Sequence, residues 1–306
     1  MLISNDTNSQ LAPVVAYNSI NNRYLITWYD KRGGSNFDIY AQKVNADGTL
    51  DGISFVVANT ADNLKNPSIT YNNIDNKYLI AWDNDANIYA QKVNAAGTLD
   101  DGVITVCNAA NNQYKPDVAY NSSADNEYMV VWEDERNGTY SDIYAQRVNA
   151  DGTLDGVNLG ICTRFYGQKI PAIIYNSTDN KYLITWQDDY DDDLMYQIYG
   201  QQISNSGSLI GNLFAISQNA GYAPSIAYNS INNEYLISFY NLGFRGKAQR
   251  VNGNGNLIGT DFLITDDTCP YISSLIYNLI NNEYLVTWQV DRGATWDIYA
   301  QRVDAP

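Results

Sequence analysis

The feature that most constrains the fold of this chain is a sixfold internal repeat. A Tyr-Asn dipeptide is followed within about ten residues by a second Tyr and then by Trp or Phe, and this pattern recurs along all 306 residues. The first Tyr of each copy is Tyr17, Tyr71, Tyr120, Tyr175, Tyr228 and Tyr277, at intervals of 49 to 55 residues. Such intervals are typical of architectures in which one small unit is repeated and packed on its neighbours.

Each copy contains short apolar runs that we designate strands A to D. In the second copy they are Pro67–Tyr71, Tyr78–Trp82, Ile88–Val93 and Val103–Cys107. β-Branched and aromatic residues dominate these runs, and Asn, Asp and Gly separate them, which predicts strands joined by tight turns. Four strands per unit of about 50 residues indicate an all-β fold, a six-bladed β-propeller of four-stranded antiparallel blades.

The six copies predict a single propeller domain over residues 1–306. The sixth copy has no fourth apolar run, whereas residues 1–5 resemble a strand D. We therefore expect the N-terminal strand to complete the last blade and close the ring, which would remove two open sheet edges. The blades are predicted at about residues 13–58, 67–107, 116–162, 171–217, 224–265 and 273–303, the last together with 1–5.

The repeats resemble those of bacterial and archaeal extracellular β-propellers of the WD40-like and TolB-like kind. The resemblance rests on a Pro-x-(Ile/Val)-x-Tyr-Asn strand, a Tyr-Leu-(Ile/Val)-x-Trp strand and an Ile-Tyr-Ala-Gln-(Lys/Arg)-Val strand, and it covers essentially the whole chain. It implies the propeller architecture and an extracellular or cell-surface location. The fifth copy departs from the pattern, with Phe239 in place of Trp and Gly246-Lys247 in place of Ile-Tyr.

Composition excludes several classes of function. The formal charge of −16 disfavours nucleic acid as a partner. There is no apolar run long enough for a membrane span, so membrane insertion is not expected, and the chain carries no signal-peptide pattern. The absence of His excludes Ser-His-Asp and Cys-His catalysis and His-ligated zinc.

The loops divide into two sets that predict different roles. The A–B and C–D turns are nearly uniform among the copies, whereas the B–C and D–A loops differ in length and content. Divergent loops on a rigid scaffold favour recognition, so we expect a carbohydrate or a partner protein to bind on their face, around the central channel. The candidate ligand-binding residues are Tyr29, Asp30, Arg32, Glu133, Asp134, Arg136, Arg164, Tyr166, Asp188, Tyr190, Tyr240, Arg245, Asp291, Arg292 and Trp296.

Other interpretations of these loops stay open. The pairs Asp30/Arg32, Asp134/Arg136 and Asp291/Arg292 could instead be ion pairs that stabilise the loops or join the blades. An enzyme is a less favoured alternative, a carboxylate-dependent glycoside hydrolase or lyase using Glu133, Asp188 and Asp30. A third alternative is a structural surface or assembly subunit, and the chain could belong to a larger surface protein.

No cofactor is predicted, with one weak exception. The acidic stretch that contains Asp188, Asp189 and Asp191 could bind calcium, because Ca²⁺ prefers oxygen ligands. The stretch lacks the spacing and the glycine of an EF-hand loop, so a solvated acidic loop is the favoured interpretation.

Overall fold

The structure is a computed structural model that describes residues 1–138, 140–189, 195–243, 245–266, 270–291, 293 and 295–305, without the side chains of 270–273. The chain comprises two compact units. Unit 1 is Met1–Thr139 with Tyr144–Gly160, and unit 2 is Tyr140–Ile143 with Ile161–Pro306. The predicted all-β fold class is confirmed, because the described residues form six successive antiparallel sheets, which we call blades 1 to 6.

The first three blades have four strands each, in chain order. Blade 1 is β1 (Gln10–Asn18), β2 (Arg23–Asp30), β3 (Asp38–Asn45) and β4 (Leu50–Ala58). Blade 2 is β5 (Lys65–Asn72), β6 (Lys77–Asp83), β7 (Ile88–Asn94) and β8 (Leu99–Cys107). Blade 3 is β9 (Gln113–Asn121), β10 (Glu127–Asp134), β11 (Asp142–Asn149) and β12 (Leu154–Cys162).

The remaining blades repeat this order. Blade 4 is β13 (Gln168–Asn176), β14 (Lys181–Asp188), β15 (Gln197–Ser204) and β16 (Leu209–Ala215). Blade 5 is β17 (Tyr222–Asn229), β18 (Glu234–Tyr240), β19 (Gly246–Asn252) and β20 (Leu257–Thr265). Blade 6 has three strands in the described residues, β21 (Pro270–Asn278), β22 (Glu283–Asp291) and β23 (Trp296–Asp304).

The prediction that residues 1–5 form the fourth strand of the last blade is wrong for the described residues, where Met1–Asn5 belong to no strand. The segment is engaged by blade 1 instead. Arg32 Nη2 donates to Ser4 Oγ at 3.1 Å, and its Nη1 lies 2.6 Å from Asp6 Oδ2. In blade 3, Arg136 Nη2 contacts Cys107 Sγ at 3.1 Å in the same way. Ser4 therefore has the same position relative to blade 1 as Cys107, the last residue of β8, has relative to blade 3.

Within each unit the core lies between consecutive blades, which explains why strand B is an almost continuous apolar run. All eight residues of β10 and all eight of β14 are buried. In unit 1, one apolar cluster joins Leu79 and Ala90 of blade 2 to Tyr128 and Trp132 of blade 3. In unit 2, another joins Leu183 of blade 4 to Tyr235, Ile237 and Phe239 of blade 5. Phe239 thus fills the buried position that Trp occupies in the other copies.

Candidate functional site

The two ends of the inner strand pair differ sharply within every blade. At the A–B turn, a Tyr on strand A faces a Tyr on strand B, with ring centroids 5.1 to 5.3 Å apart in all six copies. We call this the constant end. Its members are Tyr17 with Tyr24, Tyr71 with Tyr78, Tyr120 with Tyr128, Tyr175 with Tyr182, Tyr228 with Tyr235 and Tyr277 with Tyr284.

Asparagines complete the constant end and connect adjacent blades. Asn176, which is fully buried, accepts the backbone N–H groups of Thr178 and Asp179 at 2.9 Å each. Its amide group donates to Asn233 and to the Tyr235 hydroxyl of blade 5, also at 2.9 Å. Asn233 itself has a positive φ of 50°, a conformation that Asn tolerates better than most residues. The constancy of this end therefore has a structural cause.

The opposite end of the strand pair is reached across a β-bulge. The residue before the strand A proline has a φ of 48° to 52° in blades 1 to 5, and the register shifts there. Beyond the bulge, the facing residues differ from copy to copy, and we call this the variable end. They are Leu11 opposite Tyr29, Lys65 opposite Asp83, Tyr114 opposite Glu133, Lys169 opposite Gln187, Tyr222 opposite Tyr240 and Tyr271 opposite Gln289. Bulges often re-aim side chains next to functional sites.

The first two predicted Asp/Arg pairs are ion pairs within their own loops. Asp30 is buried, accepts Trp28 Nε1 at 2.8 Å and Arg32 Nε at 2.8 Å, and the Arg32 guanidinium lies 4.1 Å over the Tyr40 ring. Burial alone would raise the pKa of Asp30, but the hydrogen bonds from Arg32 and Trp28 hold it below its usual value. The structure thus gives Asp30 and Arg32 the loop-stabilising role that was the alternative interpretation.

Blade 3 repeats the arrangement with the same geometry. Asp134 accepts Trp132 Nε1 at 2.7 Å and Arg136 Nε at 2.9 Å, and Arg136 lies 4.0 Å over the Tyr144 ring. In blade 6, Asp291 accepts the backbone N–H of Gly293 at 2.7 Å, while Arg292 lies outside the described residues.

Asp188 occupies the equivalent position in blade 4, with a different arginine. It is buried and accepts Trp186 Nε1 at 2.9 Å. The cation comes from the preceding D–A loop, because Arg164 Nη1 lies 3.9 Å from Asp188 Oδ2 and its guanidinium 5.5 Å over the Tyr199 ring. Burial raises the pKa of Asp188, and the hydrogen bond from Trp186 opposes that rise. Arg164 therefore takes the place beside the Asp that Arg32 and Arg136 take in their blades, at a longer distance.

In unit 1, Lys115 at the bulge of blade 3 binds two carboxylates, those of Glu133 and Asp83. Lys115 Nζ lies 3.0 Å from Glu133 Oε1, and the Lys115 backbone N–H donates to Asp83 Oδ2 at 2.8 Å. Asp83 is fully buried, and desolvation raises its pKa to about 6 despite hydrogen bonds from Asn66, Lys115 and Asp85. Sequence reasoning missed Asp83. In blade 4 the neutral Gln187 accepts the equivalent N–H, from Ala223, at 3.0 Å.

An aromatic cluster in unit 2 joins two loops that the sequence separates. The rings of Tyr140, Phe165 and Tyr166 meet with centroids 5.2 to 6.4 Å apart, and we call these three residues the aromatic knob. Phe165 is 80% exposed and Tyr140 is 42% exposed. Single exposed apolar side chains are common at protein surfaces, whereas a cluster of exposed rings is a feature of interaction sites.

The backbone next to the knob is held by hydrogen bonds, and it is strained at Tyr166. Gln168 N donates to Ser141 O at 2.7 Å, and Asp189 N donates to Gly167 O at 2.9 Å. Tyr166 has a φ of 74°, in the left-handed region that costs a residue with a Cβ atom roughly 1–2 kcal/mol. Strain of this kind is found at functional sites more often than elsewhere.

The loops of the other copies distinguish two members of the knob, Phe165 and Tyr166, already in the sequence. Four D–A loops have the same nine-residue step, from Ser4, Ala58, Cys107 or Cys162 to the strand A proline. At the three positions where the last of these loops has Arg164-Phe165-Tyr166, the others have Asp6-Thr7-Asn8, Thr60-Ala61-Asp62 and Ala109-Ala110-Asn111. Asn8 and Asn111 share the positive φ of Tyr166, at 72° and 60°. Small or polar turn residues have thus been replaced by an arginine and two aromatic residues.

The other predicted ligand-binding residues lie at loop ends in their own blades. Tyr29 packs edge-on against Phe37 with centroids 4.8 Å apart, and Tyr240 stacks on Tyr222 at 5.2 Å. Arg245 Nη1 lies 3.3 Å from Asp266 Oδ1, and both side chains are exposed. Trp296, the first residue of β23, is 51% exposed. Tyr190 lies outside the described residues.

Two further properties concern the described residues only. They contain no group of three or more Asp, Glu or Cys placed to hold a metal ion, and Asp191 of the calcium prediction is not among them. Calcium at Asp188, Asp189 and Asp191 therefore stays a prediction. Within the same residues, no helix is long and apolar enough to cross a membrane.

The six blades, with their constant and variable ends, define the chain as a six-bladed β-propeller. A protein of unknown function from Dyadobacter fermentans is similar to it, with a TM-score of 0.65 and 12% identity over 97% of this chain and 95% of that one. A chain of a mitotic checkpoint complex has a TM-score of 0.56 and 9% identity over 96% and 77% of the two chains. An oligogalacturonate lyase in complex with manganese has a TM-score of 0.53 and 10% identity over 92% and 74%.

These likenesses show the fold and nothing finer, because the identities are 9 to 12%. No protein-family model matches the chain. No curated protein sequence matches it either.

Proposed function

We propose that this propeller is a recognition module of the extracellular or cell-surface kind, which binds a carbohydrate or a partner protein through the variable ends of its blades. The aromatic knob is the main contact in this proposal. The observation that carries it is the replacement of turn residues by Arg164-Phe165-Tyr166 in a loop whose length is otherwise kept. Propellers with similar folds include a chain of a protein complex and a lyase named for an oligosaccharide, so both ligand classes are compatible with the scaffold.

Several other candidate residues already have structural roles, which leaves the knob as the favoured ligand contact. Asp30, Asp134 and Asp188 are buried and hydrogen-bonded to the tryptophans of their own strands. Carboxylates held in this way are poorly suited to contact a ligand or to act as a catalytic pair. Phe165, in contrast, is exposed, and its ring contacts are with the other two members of the knob. Exposed aromatic residues on a braced backbone lose little conformational entropy on binding.

A loop exchange tests the proposal. The variant carries Ala-Ala-Asn, the sequence of 109–111, in place of Arg164-Phe165-Tyr166, and it retains the length of the loop. Wild-type protein and variant are screened on a glycan array and against purified extracellular proteins. We expect a ligand that the wild type binds at least tenfold more tightly than the variant, with matching circular dichroism. Equal binding by both proteins, or failure of every ligand to bind the wild type, would contradict the proposal.

Replacement of Arg164 also removes its ion pair with Asp188, so the loop exchange needs a control. A second variant therefore keeps Arg164 and changes only Phe165 to Ala and Tyr166 to Asn. If both variants lose binding to the same extent, the loss belongs to the aromatic residues. Binding that is lost only when Arg164 is replaced would contradict the assignment of the knob.

A further inference from the structure

The proposed function leaves the chemistry of the ligand open, and the geometry around the knob narrows it. We propose that the aromatic knob binds a neutral oligosaccharide, by stacking the C–H face of a pyranose ring on Phe165. This inference rests on the proposed recognition function and specifies its ligand. It depends on three observations: the shape of the cluster, the position of Arg164 and the charge of the chain.

The shape of the cluster suits a stacked sugar ring. Phe165 and Tyr166 meet at 84° between ring planes and Tyr140 and Tyr166 at 80°, so the rings support one another through their edges. Edge-to-face packing covers less of the ring faces than stacking does, and Phe165 is the most exposed of the three. The Tyr166 hydroxyl can donate and accept hydrogen bonds, as sugar hydroxyls require.

The position of Arg164 disfavours it as the anchor for an acidic ligand. Its guanidinium lies over Tyr199 and 3.9 Å from the buried Asp188, so its charge is already matched inside the blade. In blades 1 and 3 the arginines that do the same work, Arg32 and Arg136, belong to the B–C loop. Arg164 thus completes the fold of blade 4 and is not presented to a ligand as a free cation.

The charge of the chain points the same way. A formal charge of −16 repels uronates and sulfated sugars. A neutral pyranose avoids this repulsion and gains from stacking on an aromatic face. Sugars with equatorial hydroxyls, such as β-linked glucose or xylose units, offer the flattest C–H face for this contact.

Defined oligosaccharides test the inference. The intact chain is titrated by calorimetry with cellohexaose, xylohexaose and, as an anionic counterpart, hexagalacturonate. We expect a neutral hexasaccharide to bind, and Phe165→Ala to weaken that binding by about tenfold or more. The matched control is Ile53→Ala, which removes an 88% exposed apolar side chain from β4 in unit 1 and should leave the affinity unchanged.

The outcomes separate this inference from the function on which it rests. Preference for hexagalacturonate would overturn the neutral class, although knob-dependent recognition would stand. Knob-dependent binding of a protein, with all three hexasaccharides ignored, would overturn the carbohydrate assignment and again leave recognition intact. Neutral sugars that bind Phe165→Ala as well as the wild type would overturn the stacking site. If the wild-type protein bound none of the sugars or proteins screened, both proposals would be contradicted.

Discussion

The constant and variable ends belong to the same pair of inner strands, yet they obey different rules. At the constant end, each Tyr ring faces another Tyr, and the turn asparagines bind the next blade. At the variable end, a bulge separates the ladder from facing residues that change in every blade. Repetition in this chain thus marks packing between blades. Departures from repetition mark the positions that packing leaves free.

The largest effect is expected at the constant end. Tyr235 is fully buried and packs on Tyr228 with centroids 5.3 Å apart. Tyr235→Ala removes this ring from the core between blades 4 and 5, so we expect a loss of about 3–5 kcal/mol in the free energy of unfolding. Urea denaturation measures it. Tyr235→Phe, which keeps the ring, should lose only about 1 kcal/mol, since it removes the acceptor for Asn176. Equal losses in the two variants would contradict ring packing as the cause.

The next largest effect concerns the variable end and depends on pH. The pKa of Asp83 is raised from 3.8 to about 6 by burial. The folded protein therefore binds this proton more tightly than the unfolded chain, and stability is lost as the pH rises from about 4 through 6. The loss is on the order of 3 kcal/mol. Asp83→Asn removes it, because an amide oxygen can accept the Lys115 N–H as Gln187 accepts that of Ala223.

The measurement is the difference in unfolding free energy between Asp83→Asn and the wild type at pH 3.5 and pH 7. We expect this difference to shift in favour of the variant as the pH rises. Taking the difference cancels other groups, such as Glu127, whose pKa burial also raises to about 6. Parallel pH profiles of the two proteins would show that Asp83 titrates normally. A variant that is less stable at both values would indicate that the second carboxylate oxygen is needed.

A small effect of opposite sign is expected at the knob. Tyr166→Asn relieves a left-handed conformation that Asn8 and Asn111 adopt in loops of equal length. The relief offsets the lost contacts with Tyr140 and Phe165, so we expect stability to be unchanged or to rise by up to about 1 kcal/mol. Thermal unfolding followed by circular dichroism measures the change. A loss above about 1 kcal/mol would mean that the knob serves the fold.

The smallest effect is expected for Phe165→Ala. Phe165 is 80% exposed, and surface substitutions of this kind change stability by less than about 0.5 kcal/mol. The same substitution should weaken ligand binding, so we expect this variant to lose affinity while its stability is nearly unchanged. Unfolding midpoints that match within error, measured on the samples used for binding, establish this contrast. A clear drop in the unfolding midpoint of Phe165→Ala would mean that the variable end, like the constant end, stabilises the fold.

Much of the fold was predictable from local pattern. The Tyr-Asn repeat and the alternation of β-branched runs with Asn and Gly turns correctly predicted six antiparallel sheets, although the last of them has three strands in the described residues and not the predicted four. The fate of residues 1–5 was not predictable from pattern alone. Their similarity to strand D did not reveal that Arg32 binds Ser4 and Asp6 outside any strand.

The candidate site was predicted less well, because residue type does not reveal which partners a side chain has already found. Asp30, Asp134 and Asp188 looked available in the sequence, and each is hydrogen-bonded to a buried tryptophan. Tyr140 escaped notice, since it lies 25 positions before Phe165 in a different loop. Only folding brings the two rings within 6.4 Å.

The sequence by itself therefore determined the repeating unit, because strand propensity, turn residues and apolar period are local properties that each copy states again. The tertiary structure decided which polar residues are used internally and which are left for a ligand. Arg164 is the clearest case. Its sequence position in a divergent loop suggests a ligand contact, and its place over Tyr199 beside Asp188 gives it a structural role. Its neighbour Phe165 is exposed at the surface and packs against the rings of Tyr140 and Tyr166.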